Sequence, residues 1–84
     1  MQDEARLKRL RIRAWRRGTK EMDLILGPFC DAKAQGMDAD DLDLLEALME
    51  ENDQDLYLWV SGQAAPPGRF ADLLSRIARH AGAA

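Results

Sequence analysis

The chain has 84 residues, with twelve Lys or Arg, fifteen Asp or Glu, one histidine and one cysteine, and a net charge of −3. A domain this short buries only roughly 60–65% of the surface its unfolded chain exposes, so a thin single core fits but a catalytic cleft plus a separate cofactor-binding domain does not. Cys30 alone excludes an internal disulfide, and His80 alone excludes a Cys/His zinc site.

The net charge hides an asymmetry. Residues 1–20 carry eight bases and two acids, a balance of +6; residues 21–60 carry one base, Lys33, and twelve acids, a balance of −11; residues 61–84 add three arginines and Asp72, a balance of +2. A cationic arm beside an anionic middle supports either steering of a partner or pairing of the two halves within the molecule. The opening Met1-Gln2-Asp3-Glu4 lacks the apolar core of a signal peptide. The Arg-rich stretch after it is a poor mitochondrial presequence, with Asp3 and Glu4 inside it and no serine before Ser61. No apolar run approaches the ~20 residues of a membrane span, so no membrane insertion is expected. A lone thiol and this N-terminus suit a cytoplasmic protein.

The spacing predicts a first helix over about 3–17, with Leu7, Leu10 and Ala14 as an apolar stripe that ends at Arg17. Gly18 is the expected stop, because glycine takes the left-handed conformation at low cost. A second helix is expected from about Lys20 to Leu26, burying Met22, Ile25, Leu26 and Phe29, with Gly27-Pro28 breaking or kinking it. Residues 29–34 are then a further turn of the same helix or a short separate one.

Asp38 is the expected N-cap of the next helix, with Asp40 and Asp41 in its first turn, Met37 and Leu42 as a hydrophobic staple, and a stripe of Leu42, Leu45, Leu48 and Met49. Asp53 is expected to cap a fourth helix carrying Leu56, Tyr57, Trp59 and Val60 and stopping near Ser61-Gly62. After the loop Ala65-Pro66-Pro67-Gly68, a last helix over about 69–80 should bury Phe70, Leu73, Leu74, Ile77 and Ala78. The expected fold is therefore all-α, a compact bundle of about five short helices forming one domain over 1–84. Its ordered core is placed at about 5–80, and Ala81–Ala84 is read as a frayed tail.

No catalytic set is evident. His80 sits at a helix end, where it helps satisfy terminal carbonyls or lies exposed. Cys30 has no histidine near it in sequence and reads as a small buried hydrophobe. The run Asp38-Asp40-Asp41-Asp43 lacks the glycine and the distal glutamate of a calcium loop, and reads as a cap and a solvated helix face. No metal and no cofactor of its own are expected. The basic arm could contact phosphate, but a sequence pI near 5.0 argues against a nucleic-acid partner. Trp15 and Trp59 read as core or interface anchors.

The segment Arg16-Arg17-Gly18-Thr19-Lys20-Glu21 admits two readings. It can be a plain helix corner: with Gly18 as N-cap, Glu21 falls at N3 and can reach back to the Gly18 N–H. It can also be a working surface. Here the sequence resembles a known family. Residues 16–29, Arg-Arg-Gly-Thr-Lys-Glu-Met-Asp-Leu-Ile-Leu-Gly-Pro-Phe, contain the Arg-Gly-x-x-Glu signature of the succinate dehydrogenase flavinylation factors. Lys8-Arg9-Leu10, Arg13 and Asp53-Gln54-Asp55-Leu56-Tyr57-Leu58-Trp59-Val60 resemble the family as well, the last with Val60 where its pattern has leucine. The resemblance covers about residues 6–62.

That resemblance implies a five-helix bundle that binds the flavoprotein subunit of succinate dehydrogenase, and in bacteria also that of the related fumarate reductase. It implies that such a factor promotes covalent attachment of FAD, bound on the partner, to a histidine of that subunit. By the same resemblance Arg17, Gly18 and Glu21 carry the signature and face the partner, flanked by Arg16 and Asp23. Without the resemblance, the runner-up is a small antitoxin-like or adaptor protein acting on a different partner. An enzyme is the least favoured class.

Overall fold

The computed structural model describes residues 4–82 and contains five α-helices: α1 Glu4–Trp15, α2 Lys20–Lys33, α3 Ala39–Met49, α4 Asp53–Val60 and α5 Ala71–His80. Short 3₁₀ turns, Ala34–Gly36 and Gly68–Phe70, follow α2 and precede α5. No strand occurs among the described residues. The helical bundle is thus as expected. The first three and last two residues, including Asp3 and part of the tail read as frayed, lie outside the described residues; Ala81 and Gly82 close α5 with bonds to the carbonyls of Ile77 and Arg79.

Each helix turns the expected stripe inward, except that Ile25 of α2 is only partly buried against the core. Leu7, Leu10 and Ala14 of α1, Met22, Leu26 and Phe29 of α2, Leu42, Leu45 and Leu48 of α3, Leu56 and Val60 of α4, and Leu73, Leu74 and Ile77 of α5 join one core. α2 is the hub and packs on α1, α4 and α5. Trp59 is half-buried against Phe70, ring centroids 6.4 Å apart. Asp38 caps α3, accepting from the Asp41 N–H at 2.8 Å, and Met37 and Leu42 are both buried.

Several boundaries differ from expectation, each for a physical reason. α1 ends at Trp15 rather than Arg17, because the Arg17 N–H is taken by the Asp23 carboxylate instead of continuing the helix ladder. α2 is not broken at Gly27-Pro28 and runs on to Lys33. Proline offers no N–H to the Leu24 carbonyl, and Leu24 lies on the exposed side, where water can reach that carbonyl. Gly27 is there for packing. A Cβ at this position would lie 2.4 Å from two ring atoms of Trp15, whose indole lies on the helix and donates Nε1–H to Asp31 at 3.1 Å. Finally, Asn52 rather than Asp53 caps α4, accepting from the Asp55 N–H at 2.8 Å. Asp53 is thereby free for the role described next.

The charge asymmetry resolves in part into internal pairing. Arg6 bonds Asp43 and Glu46, Arg13 bonds Glu50 at 3.0 Å, and Arg17 bonds Asp53 at 2.8 Å. The acids follow their arginines by a near-constant 36 or 37 positions in three of these pairs. Such a register means that the basic face of α1 and its continuation run parallel to α3 and the start of α4. Lys8, Arg9, Arg11, Arg16 and Lys20 remain exposed, with no ion pair among the described residues.

Candidate functional site: the α1–α2 corner

The corner between α1 and α2 is built around one side chain. Arg17 turns inward, with its side chain only 11% exposed. Its Nε donates to Asp53 Oδ1 at 2.8 Å, Nη1 to the Met49 carbonyl at 2.7 Å and Nη2 to the Glu51 carbonyl at 2.8 Å. The Met49 carbonyl ends α3, and the Glu51 carbonyl lies in the link to α4; such groups lack helix partners and accept well from a cation. A planar guanidinium can serve three diverging acceptors in this way. Asp53, 10% exposed, returns the contact: its other oxygen accepts from the Thr19 N–H at 3.0 Å. Arg17 and Asp53 therefore staple the corner to the α3–α4 junction from both sides.

Gly18 stands directly against this staple. A Cβ there would lie 2.9 Å from Asp53 Oδ2, an atom held by Thr19 while its partner oxygen is held by Arg17. The expected left-handed glycine is not found: positive φ occurs only at Gly62 and Gly82 among the described residues. The reason for glycine is the close approach of a carboxylate.

Thr19, not Gly18, is the N-cap of α2, its hydroxyl accepting from the Met22 N–H at 3.3 Å. This sets Met22 at N3 and Glu21 one position earlier. The capping-box geometry considered for Glu21 is therefore absent, and its side chain stays exposed in the first turn of the helix, where negative charge is favourable. Among the described residues no hydrogen bond or ion pair engages it. Asp23 is half-buried and accepts from the Arg17 N–H. Of the five residues singled out from sequence, Arg16, Gly18 and Glu21 are thus exposed on one corner, while Arg17 and Asp23 hold that corner in shape.

Asp53 is the organising residue that sequence reasoning assigned to another role. The signal for it was present in the regular spacing of arginines and acids, and in its place at the head of the tryptophan-containing motif. Beyond the staple, Thr19, Glu21, Asp53, Gln54, Tyr57 and Leu58 enclose an open groove of about 480 Å³. A larger depression of about 570 Å³ lies elsewhere, beside Lys33, Asp41, Arg76, Arg79 and His80. Its cations are largely accounted for: Arg76 is paired with Asp41 and Asp72, and Lys33 and Arg79 sit in last helical turns, where positive charge is favourable. His80 also meets the Phe29 ring edge-on, centroids 5.8 Å apart.

The remaining reactive candidates are quiet. Cys30 is buried, and desolvation, with a smaller contribution from Asp31, pushes its thiol up to about 12. A thiol so disposed is not a nucleophile at neutral pH. No group of three or more metal-ligating side chains comes together among the described residues, and no helix among them is long and apolar enough to cross a membrane.

Fold and corner together define a small helical protein whose most organised polar feature is a stapled, exposed turn. The chain belongs to the family described as "Flavinator of succinate dehydrogenase", whose profile matches residues 8–81. It is 40% identical over 72 residues to the FAD assembly factor SdhE of Acetobacter pasteurianus, covering 86% of this chain and 66% of that protein. It is 39% identical over 66 residues to the FAD assembly factor SdhE of Pseudomonas aeruginosa, covering 79% and 77%. It is 34% identical over 83 residues to the mitochondrial succinate dehydrogenase assembly factor 2 of Cryptococcus neoformans, covering 95% of this chain and 47% of that protein. The match thus spans just under two thirds of the first relative and about half of the fungal one. No solved structure is a significant match.

Proposed function

We propose that this protein is a non-catalytic assembly factor that binds the flavoprotein subunit of succinate dehydrogenase and promotes covalent attachment of FAD to it. The observation that carries the reading is the stapled corner: in a chain of the flavinator family, the signature Arg17-Gly18-x-x-Glu21 presents an exposed Gly18 and an unpaired Glu21 on a turn that Arg17 and Asp53 hold rigid. The flavoprotein of fumarate reductase is a second target under the same reading. The lone free thiol suits the cytoplasm as its compartment.

Arg16, Gly18 and Glu21 face the partner, and Arg17 and Asp23 act behind them as positioning residues. The bond to be made joins a histidine nitrogen of the partner to the flavin's 8α carbon, with the N–H and one C–H given up as protons and the two electrons left on the flavin ring, and the groups that react belong to the partner. This chain binds one arrangement of the flavoprotein and holds histidine and flavin at reacting distance. Positioning of this kind contributes up to about 7–11 kcal/mol to a barrier in the best-oriented systems. The exposed cations of α1 steer the encounter.

Glu21 provides the cleanest test, because among the described residues no hydrogen bond or ion pair of the fold depends on it. Co-expression of the flavoprotein with wild-type protein should give covalent FAD, read as in-gel flavin fluorescence. Glu21→Arg should lose most of that signal while its stability by circular dichroism falls by no more than about 1 kcal/mol, the cost of reversing an exposed first-turn charge. Equal fluorescence with Glu21→Arg, or without the factor at all, refutes the proposal.

A further inference from the structure

The face of α4 that looks away from the core carries large apolar side chains. Leu56 and Val60 face inward and are buried, and Trp59 is half-buried against Phe70. Tyr57 and Leu58 remain 42% and 37% exposed. Single exposed apolar residues are ordinary, but these two line one groove with the polar side chains of Thr19, Glu21 and Gln54. Neither the Tyr57 hydroxyl nor the Glu21 carboxylate has a hydrogen-bond partner among the described residues. The other exposed ring, Trp15, is explained by its seat on Gly27 and its bond to Asp31; nothing comparable occupies Tyr57.

The charge of the groove is one-sided. Its two ionisable carboxylates are Glu21 and Asp53, and among the described residues no cation lines it. Asp53 is neutralised by Arg17 from behind, so Glu21 is the uncompensated charge. The two walls cannot drift apart, because Asp53, the first residue of α4, holds both Arg17 and the Thr19 N–H. A groove fixed in this way loses little ordering entropy on binding.

We infer that this groove is the anchor of the docking surface. It takes a segment of the flavoprotein subunit in which a large apolar side chain, seated against Tyr57 and Leu58, lies beside an arginine or lysine that pairs with Glu21. The inference rests on the docking role given above to the Gly18–Glu21 corner, and extends it onto α4. Tyrosine in such a setting is a typical binding hot spot, with an apolar body to bury and a hydroxyl to bond.

Titration calorimetry against the purified flavoprotein subunit tests it with four proteins: wild type, Tyr57→Ser/Leu58→Ser, Glu21→Lys, and Ile12→Ser/Leu24→Ser as an equal apolar loss elsewhere. The groove double variant should weaken binding by about thirtyfold, the loss expected at a hot spot. Glu21→Lys should weaken it by about tenfold or more, and the Ile12/Leu24 pair should stay within about twofold, as expected for residues away from hot spots. If wild type binds and the groove double variant binds as well, the anchor is refuted while the docking role of the corner stands. Equal weakening by the Ile12/Leu24 pair also refutes the anchor. If wild type does not bind, the docking role fails and the anchor with it. Should the groove double variant melt early, Tyr57→Ser alone and Glu21→Lys decide the outcome, since both positions are exposed.

Discussion

Replacing Arg17 by alanine removes three hydrogen bonds in a single step, one of which is also the ion pair with Asp53. Each bond to a charged donor contributes about 1.5–3 kcal/mol, and stranding one partner of a fully buried pair costs about 3–5 kcal/mol. The site is about one-tenth exposed, and Asp53 keeps its bond from the Thr19 N–H, so water and that N–H recover part of the loss. The expected destabilisation of Arg17→Ala is about 2–3 kcal/mol, the middle of those ranges after that discount. A domain of this size gains only about 4–12 kcal/mol from folding, so the change is large. At about 4–8 °C per kcal/mol, it corresponds to a drop in Tm of about 10–20 °C, read by far-UV circular dichroism. Arg17→Lys keeps the charge but cannot reach three diverging acceptors, and should fall between the two. Arg16→Ala should leave stability within about 0.5 kcal/mol, because Arg16 is exposed and unpaired. A double-mutant cycle between Arg17→Ala and Asp53→Ala should give a coupling of about 1–3 kcal/mol. If Arg17→Ala melts within about 3 °C of wild type, equivalent to under 1 kcal/mol, the staple is not what holds the corner.

Gly27→Ala should cost about 1–2 kcal/mol despite alanine's better helix propensity, because its Cβ would drive the Trp15 ring off the helix. Tryptophan fluorescence should shift toward that of a solvated indole, and an unchanged spectrum would contradict the packing. Cys30 should resist thiol reagents at pH 8 in the folded protein and react only with unfolding. Its raised pKa also makes a stability contribution that is fully present below the unfolded value of 9.0 and is lost as pH rises toward the folded value of about 12. By pH 10 about 1 kcal/mol of that advantage should be gone, read as a narrowing of the stability gap between wild type and Cys30→Ala in urea; a gap that is constant from pH 8 to 10 would contradict it.

The apolar periodicity specified the fold well, since Leu7, Leu10 and Ala14, or Leu42, Leu45 and Leu48, can share a face only in a helix. What it could not specify was set by side chains reaching across elements. Asp53 and Asn52 are both good capping residues, and choosing between them requires knowing that Arg17 claims the carboxylate from 36 positions away. The end of α1 depends likewise on Asp23 capturing the Arg17 N–H, and the continuity of α2 on Pro28 leaving a carbonyl on the exposed side. Local propensity contains none of these contacts.

This division of labour alters how the signature itself must be interrogated. Gly18 touches the Asp53 carboxylate, and Arg17 lies within the staple, so substituting either disturbs the fold of the corner before any partner is met. A larger residue at Gly18 would displace Asp53, loosen Arg17 and release the Thr19 N–H together. Loss of flavinylation in such a variant therefore reports the shape of the turn. Glu21 differs in kind: it is exposed, free of capping and unpaired among the described residues, so its carboxylate is available to a partner without breaking any bond of the corner. A defect in Glu21→Arg with only a small drop in melt would belong to docking, whereas a defect in Gly18→Arg accompanied by a strongly lowered melt would belong to the staple.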